Sequence, residues 1–387
     1  MIVELGIDRV MADMPAVLRG RKIGLISNYT VVDQDLRPTI DRFMTCSDLR
    51  LTTLFGPEHG VKNSAREGER VDFSVDAHSG LPAYSLYGTA KKPGPEMLAN
   101  LDVLVLDLQD VGSRYYTNMN TMALAMEAAS EHQKAFVVLD RPNPIGGVCQ
   151  EGYIVESKFE SFVGGGPMPN RHGMTMGELA LWFRRIKNLD VDLTVVPMRG
   201  WERSMYWEET GLPFVSPSPN TTHADMTLLY PGLCLFEGTN VSLGRGTPHP
   251  FEVIGAPFLD GHRLAEAFNR RGIAGVAARA TYFVPYYSQY QGELCAGIQL
   301  HIRDRRTFAP VRAAIELIAV LQELYPEAFA IVTGTSSRPS FFQLLAGTDK
   351  LETWLANEPR QAASRYLTQE TEAWATFHRE FEDIRLY

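Results

Sequence analysis

Five short segments in the first 200 residues are apolar on both faces. They are Lys22–Asn28, Leu51–Phe55, Asp102–Leu108, Ala135–Asp140 and Asp192–Val196, each five to seven residues long and rich in Val, Ile or Leu. A strand with one wet face alternates polar and apolar residues. These do not, so they read as strands covered by helices on both sides, which means a parallel sheet. Helical patterns separate several of them. Asn120 or Thr121 can cap a helix over Met122–Lys134. Thr175 and Glu178 have the spacing of a capping box, opening a helix to about Lys187 with Leu179, Trp182, Phe183 and Ile186 on one face. The expected fold class is α/β, with a Rossmann-like doubly wound parallel sheet domain over residues 1–225.

After Asp225 the texture changes. Gly and Pro crowd Tyr230–Pro257, two strand-like runs follow near Val276–Pro285 and Leu294–Ile302, and a long helix is expected over Pro310–Leu324. Trp374, Phe377, Phe381 and Ile384 recur at helical spacing and predict a closing helix. Residues 226–387 therefore read as a smaller α+β C-terminal domain that closes a cleft.

Charge and cysteine usage narrow the partners. Lys and Arg number 37 against 46 Asp and Glu, a net charge of −9, with no basic run. That argues against nucleic acid or an anionic membrane surface as partner. No apolar run reaches the roughly 18 residues of a membrane span. The N-terminus, Met1 to Arg9, carries early acids and no basic-then-apolar pattern, so as written it predicts a cytoplasmic protein; a removed signal would make it secreted or periplasmic. Cys46, Cys149, Cys234 and Cys295 form no CxxC pair and read as buried hydrophobes. The nine His include no HExxH, and no acidic calcium loop is present, so neither metal nor cofactor is expected. GxxxxGK[ST], GxSxG and a GxGxxG after the first strand are also missing, which removes the usual phosphate cradles and nucleophile elbow.

What the chain offers is polar residues just past its strands, where open α/β sheets bind ligands. The second strand runs into Pro57-Glu58-His59-Gly60, the third into Asp107–Thr117, the fourth into Asp140-Arg141-Pro142-Asn143. Each has a structural alternative. His59 can bond a turn, Asp107 can pair with Arg141 or Arg114, Glu178 caps a helix, and Tyr115 and Tyr116 can be core. Glu58 itself can cap a helix or pair with Arg66 or Arg70. A second polar group lies at the domain junction: Ser216–His223, then Phe236–Asn240, then Gly244-Arg245-Gly246. A Gly-flanked Arg offers a guanidinium to a carboxylate with the backbone held close.

These stretches resemble a known family. FGPEHG at 55–60, LDLQDVGSRYYT at 106–117, LDRPNPIGG at 139–147, PSPNTTHAD at 217–225 and the long run at 230–257 are similar to the motifs of the NamZ-type exo-β-N-acetylmuramidases, from about Arg21 to Tyr387. The resemblance implies a Rossmann-like domain, a smaller C-terminal domain and a cleft between them. It implies release of N-acetylmuramic acid from the non-reducing ends of muramic-acid disaccharides or peptidoglycan fragments. The proposed catalytic glutamate of the family's PEHG motif maps onto Glu58. The family's secreted members carry a signal, and the sequence as written shows none, which leaves the expected compartment open.

Glycoside cleavage needs a protonated carboxyl at the leaving oxygen and usually a second carboxylate. Glu58 is the expected general acid, presented from a turn stiffened by Pro57 and released by Gly60. Asp110 is the expected second acid, with Asp140 behind it. His59, Arg114, Tyr116, Asp140, Arg141, Asn143, Asn220, Glu237, Asn240 and Arg245 are candidate substrate contacts. Arg114 or Arg245 would read the lactyl carboxylate of muramic acid. Two rival readings stay open: an amide or ester hydrolase acting on cell-wall fragments, and a carbohydrate-binding protein.

Overall fold

The computed structural model describes residues 2–387 except 67, 70, 72, 89, 336, 337 and 369–371. Arg70, named above as a possible partner of Glu58, lies outside the described residues.

Strands β1 (Lys22–Ile26), β2 (Arg50–Gly56), β3 (Ser74–Val75), β4 (Pro82–Ser85), β5 (Val103–Leu106), β6 (Ala135–Leu139) and β7 (Leu193–Val196) form one sheet in the order β3-β4-β2-β1-β5-β6-β7. Every neighbouring pair is parallel except β3 with β4. The five expected strands are all present. Their side chains divide as double winding requires: Val103, Val105, Val137 and Leu139 enter one core, while Leu104, Leu106, Phe136 and Val138 enter the other. Each fully buried aliphatic side chain is worth roughly 1.5–3 kcal/mol, so neither face can be left wet. β3 and β4 had no apolar run to announce them; they are short and sit at the sheet edge.

Of the two expected caps one holds: Asn120 and Thr121 lie inside their helix, whose N-cap is Thr117, while the Thr175 capping box is present. The helix after β5 spans Asn118–Glu131, starting a turn earlier than its apolar spacing implied. In the helix Met176–Ile186 the Thr175 side chain accepts from Glu178 N–H, and the Glu178 carboxylate accepts from Thr175 N–H.

The second sheet is antiparallel, in the order β8-β10-β9, with β8 (Val253–Ala256), β9 (Val276–Phe283) and β10 (Cys295–Ile302). The helix Pro310–Leu324 packs in its core. The Gly- and Pro-rich stretch is more regular than its composition implied. Ala224–Leu233 is helical with Pro231 inside it, and a 3-10 turn over Cys234–Gly238 follows. Gly232 lies so close to Pro310 that an added Cβ would stand 2.0 Å from the Pro310 carbonyl oxygen.

The closing helix, Glu372–Ile384, does not stay with the second sheet. Phe377, Phe381 and Ile384 pack into the core that holds Trp182 and Phe183, on the first sheet. Beyond it, the Tyr387 hydroxyl donates to Asp140 at 2.6 Å. Among the described residues, no helix is long and apolar enough to cross a membrane.

Candidate active site

β2 and β5 flank β1, at the point where the strand order reverses, and the site is built at their carboxyl ends. After Gly56 the chain turns at once. Gly60 N–H donates to the Pro57 carbonyl at 2.9 Å, which places Glu58 and His59 at the centre of a tight turn. His59 has φ 71°, the left-handed value a type II turn needs at its second central residue. A side chain there costs of order 1 kcal/mol or more. The surroundings hold it: His59 Nδ1–H donates to the Ala65 carbonyl at 2.8 Å, and its own carbonyl accepts from Ser64 N–H at 3.2 Å. Gly56 permits the fold-back, since a Cβ there would meet the Val61 nitrogen at 2.5 Å.

The turn presents a half-buried Glu58. Its Oε2 accepts from the Thr117 hydroxyl at 2.7 Å and its Oε1 from Gly68 N–H at 3.4 Å. Thr117 is the N-cap of the helix that follows β5. Nearby, Asn120 Nδ2 donates to the Phe162 carbonyl at 2.9 Å, fixing the loop that carries Phe162 and Val163. Gly165 lets that loop close in; its Cβ would stand 1.9 Å from Asn120 Oδ1.

The opposite wall comes from the C-terminal half. Arg245 Nη2 donates to Glu237 Oε1 at 2.6 Å, and the guanidinium lies 4.9 Å from the centre of the Phe251 ring. Tyr230 stands edge-on to Phe251 at 4.7 Å and to Tyr116 at 6.1 Å. Burial pushes both phenols, Tyr116 and Tyr230, well above their ordinary pKa, so they act as neutral hydrogen-bonding rings. Asn220 Oδ1 accepts from the Tyr287 hydroxyl at 2.9 Å.

Glu58, His59, Tyr116, Asn220, Glu237 and Arg245 thus line one cavity of about 270 Å³. Thr117, Tyr87, Phe162, Tyr230 and Phe251 line it too and were not singled out in the sequence. Tyr230 and Phe251 lie within the 230–257 run; for Phe162 no local signal exists.

The other six candidates stand elsewhere, and each has a structural occupation. Asp110 is 2% exposed and off the cavity wall; its Oδ2 accepts from Gly112 N–H at 2.6 Å and lies 3.3 Å from His172 Nε2. Arg114 is fully buried and donates to the carbonyls of Tyr153, Met168 and Leu345. No substrate carboxylate can reach it. Arg141 is spent on Asp107 and on the Val32 carbonyl. Asn143 donates to the Met174 carbonyl at 2.9 Å. Asn240 Nδ2 donates to the Ala328 carbonyl at 2.7 Å and its Oδ1 accepts from Ala330 N–H at 2.8 Å.

Asp140 accepts from Arg141 N–H, Gly177 N–H, the Thr175 hydroxyl and the Tyr387 hydroxyl, so it pins the first domain together. Burial raises its pKa from 3.8 to about 6 against those donors. Between these values the folded protein keeps a proton that the unfolded chain releases. The stability this carboxyl contributes is full below pH 3.8 and is lost as pH rises through about 6. Asp140→Asn should remove that slope. Melting curves of both proteins at several pH values check it: the wild type should lose ground to the variant by ~1–3 kcal/mol across the window.

Among the described residues, no group of three or more His, Cys, Asp or Glu could hold a metal ion.

Comparison with known proteins closes the assignment. Residues 23–225 match the family described as exo-beta-N-acetylmuramidase NamZ, N-terminal, and residues 228–387 match its C-terminal counterpart. A curated relative, peptidoglycan beta-N-acetylmuramidase NamZ of Bacillus subtilis (strain 168), is 47% identical over 355 residues, which cover 92% of this chain and 84% of the relative. Two crystal structures of DUF1343 family proteins from Bacteroides fragilis NCTC 9343 share the fold, each covering 100% of this chain and matched over 99% of its own length. One has a TM-score of 0.91 at 35% identity, the other 0.75 at 27%. Matched in both halves by one family, this chain belongs to the exo-β-N-acetylmuramidase NamZ family.

Proposed function

We propose that the protein is a glycosidase that releases N-acetylmuramic acid from the non-reducing ends of peptidoglycan fragments. The observation that carries this reading is the placement of Glu58 on an aromatic-walled cavity that also holds Arg245 and a second carboxylate, Glu237. The cavity has room for one terminal sugar, and its walls come from both halves of the chain.

Glu58 is the general acid. Thr117 steadies Oε2, which leaves the carboxyl oriented while its proton passes to the glycosidic oxygen. Glu237 takes the part expected of Asp110. It lines the cavity and faces the positive charge that develops on the sugar as the bond breaks. Tyr116, Tyr230 and Phe251 exclude water around that charge. Arg245, anchored to Glu237, reads the lactyl carboxylate that distinguishes muramic acid from N-acetylglucosamine.

The amide or ester hydrolase reading finds little to act with here. Cys234 lines the cavity, but burial pushes its thiol well above the ordinary range, away from the thiolate a nucleophile needs. The Ser218 hydroxyl is paired with that of Thr221 at 2.7 Å.

A chromogenic muramic-acid glycoside, with analysis of new reducing ends, tests the reading. Free N-acetylmuramic acid should be the first product, appearing before polymer length falls. Early shortening of polymer with little free sugar would favour an internal cut instead. Arg245→Ala should lower the preference for muramic-acid over N-acetylglucosamine glycosides by ~10-fold or more, because a charge-assisted pair is worth ~1.5–3 kcal/mol. An unchanged ratio of the two kcat/KM values removes Arg245 from carboxylate recognition.

A further inference from the structure

Beside this cavity lies a second one of about 250 Å³, and the two share their walls. Three stretches of chain serve both. The segment 217–222 gives Ser218 and Thr221 to the first and Pro219 and Thr222 to the second, with Asn220 on both. The loop 245–251 gives Arg245 and Phe251 to the first, and Gly246, Thr247 and Pro250 to the second. The segment after β2 gives Glu58 and Gly68 to the first, and Ser64 to Arg66 to the second. A further hollow under the same segment meets the first cavity at His59 alone.

The lining of the second cavity suits a neutral, hydroxyl-rich ring. Its described residues include one cation and no carboxylate. Tyr287 supplies an aromatic face, and its hydroxyl reaches back to Asn220 at 2.9 Å, linking the two cavities. The Arg66 guanidinium lies 5.5 Å from the centre of that ring. Tyr286, next to it in sequence, is 80% exposed. Both tyrosines are held by Gly246: its carbonyl accepts from Tyr286 N–H at 2.8 Å, its φ is 77°, and a Cβ would stand 2.6 Å from the Tyr287 nitrogen. Only glycine lets the two loops touch there.

We propose that this second cavity is the subsite for the leaving-side sugar, a neutral N-acetylhexosamine whose bond to muramic acid crosses over Asn220. The inference rests on the first cavity being the muramic-acid site. It makes the protein a reader of two consecutive sugars rather than of one.

Two substrates separate the subsites: a muramic acid–N-acetylglucosamine disaccharide, and an aryl muramic-acid glycoside that has no second sugar. Thr222→Trp places a bulky side chain on an exposed rim position of the second cavity, and Arg66→Ala removes a donor from it. Each variant should lose ~10-fold or more in kcat/KM on the disaccharide and stay within about 2-fold of wild type on the aryl glycoside. Parallel losses on both substrates, or an undiminished rate on the disaccharide, would overturn the subsite. A wild-type protein that cleaves neither substrate would instead overturn the reading of the first cavity.

Discussion

Glu58→Gln should lower turnover of a natural muramic-acid disaccharide by ~10²–10⁴-fold, the usual worth of a positioned general acid. The substitution keeps the shape of the side chain and its bond from Thr117, and takes away the proton. The fold should be untouched, because the turn is held by the backbone bond from Gly60 to Pro57 and by His59, neither of which involves the carboxyl. Leaving-group chemistry gives a second signature. An activated phenol departs with little protonation, so the loss on an aryl glycoside should be much smaller than on the disaccharide. Matched melting curves and product analysis on both substrates make the measurement. A folded Glu58→Gln protein with near-normal disaccharide turnover would sink the assignment and make Glu237 the first candidate.

Arg114→Met should cost about 4 kcal/mol of stability. The guanidinium is wholly buried and serves three carbonyls, Tyr153 and Met168 in the N-terminal half of the chain and Leu345 in the C-terminal half. Methionine fills much of the stem volume but donates nothing. Each buried carbonyl left without a donor costs ~1–3 kcal/mol before relaxation. Unfolding entropy of ~2.1 cal/mol/K per residue turns this into a fall in Tm of roughly 5 °C, if the chain melts as one unit. Calorimetry checks it. A variant that melts like the wild type but binds muramic acid poorly would restore the substrate contact that the burial of Arg114 excludes.

Arg114 and Arg245 also show what a sequence does and does not disclose. Both lie in motif-like runs with a Gly close by, and both are chemically able to hold a carboxylate. Only packing separates them: one is sealed under three carbonyls, the other stands in a cavity. The position of Glu58 just past β2 was legible because it depends on local rules, an apolar strand followed at once by Pro and Gly. The central strands were legible for the same reason, since burial on two faces writes an unbroken apolar run. β3, β4 and β8 were not, because Ser74–Val75 and Pro82–Ser85 carry no apolar run and Val253–Ala256 lies in a stretch crowded with Gly and Pro. Asp110 and Asp140 misled because an acid after a strand looks the same whether it meets a ligand, a turn N–H or a helix start. Phe162 reaches the cavity only through the contact of its loop with Asn120, which no spacing rule contains.

The return of the helix Glu372–Ile384 to the first sheet bears on how the protein is made. The bond from Tyr387 to Asp140 joins residues 247 positions apart, and Arg185 meets Asp383 across 198. Synthesis proceeds from the N-terminus at ~5–20 residues per second, so the first domain emerges well before the helix that covers Trp182. Until then the apolar side of Met176–Ile186 has no lid, and the nascent chain must be kept from associating through it. The C-terminal half is therefore folded in between two parts of a core that its own completion allows to close.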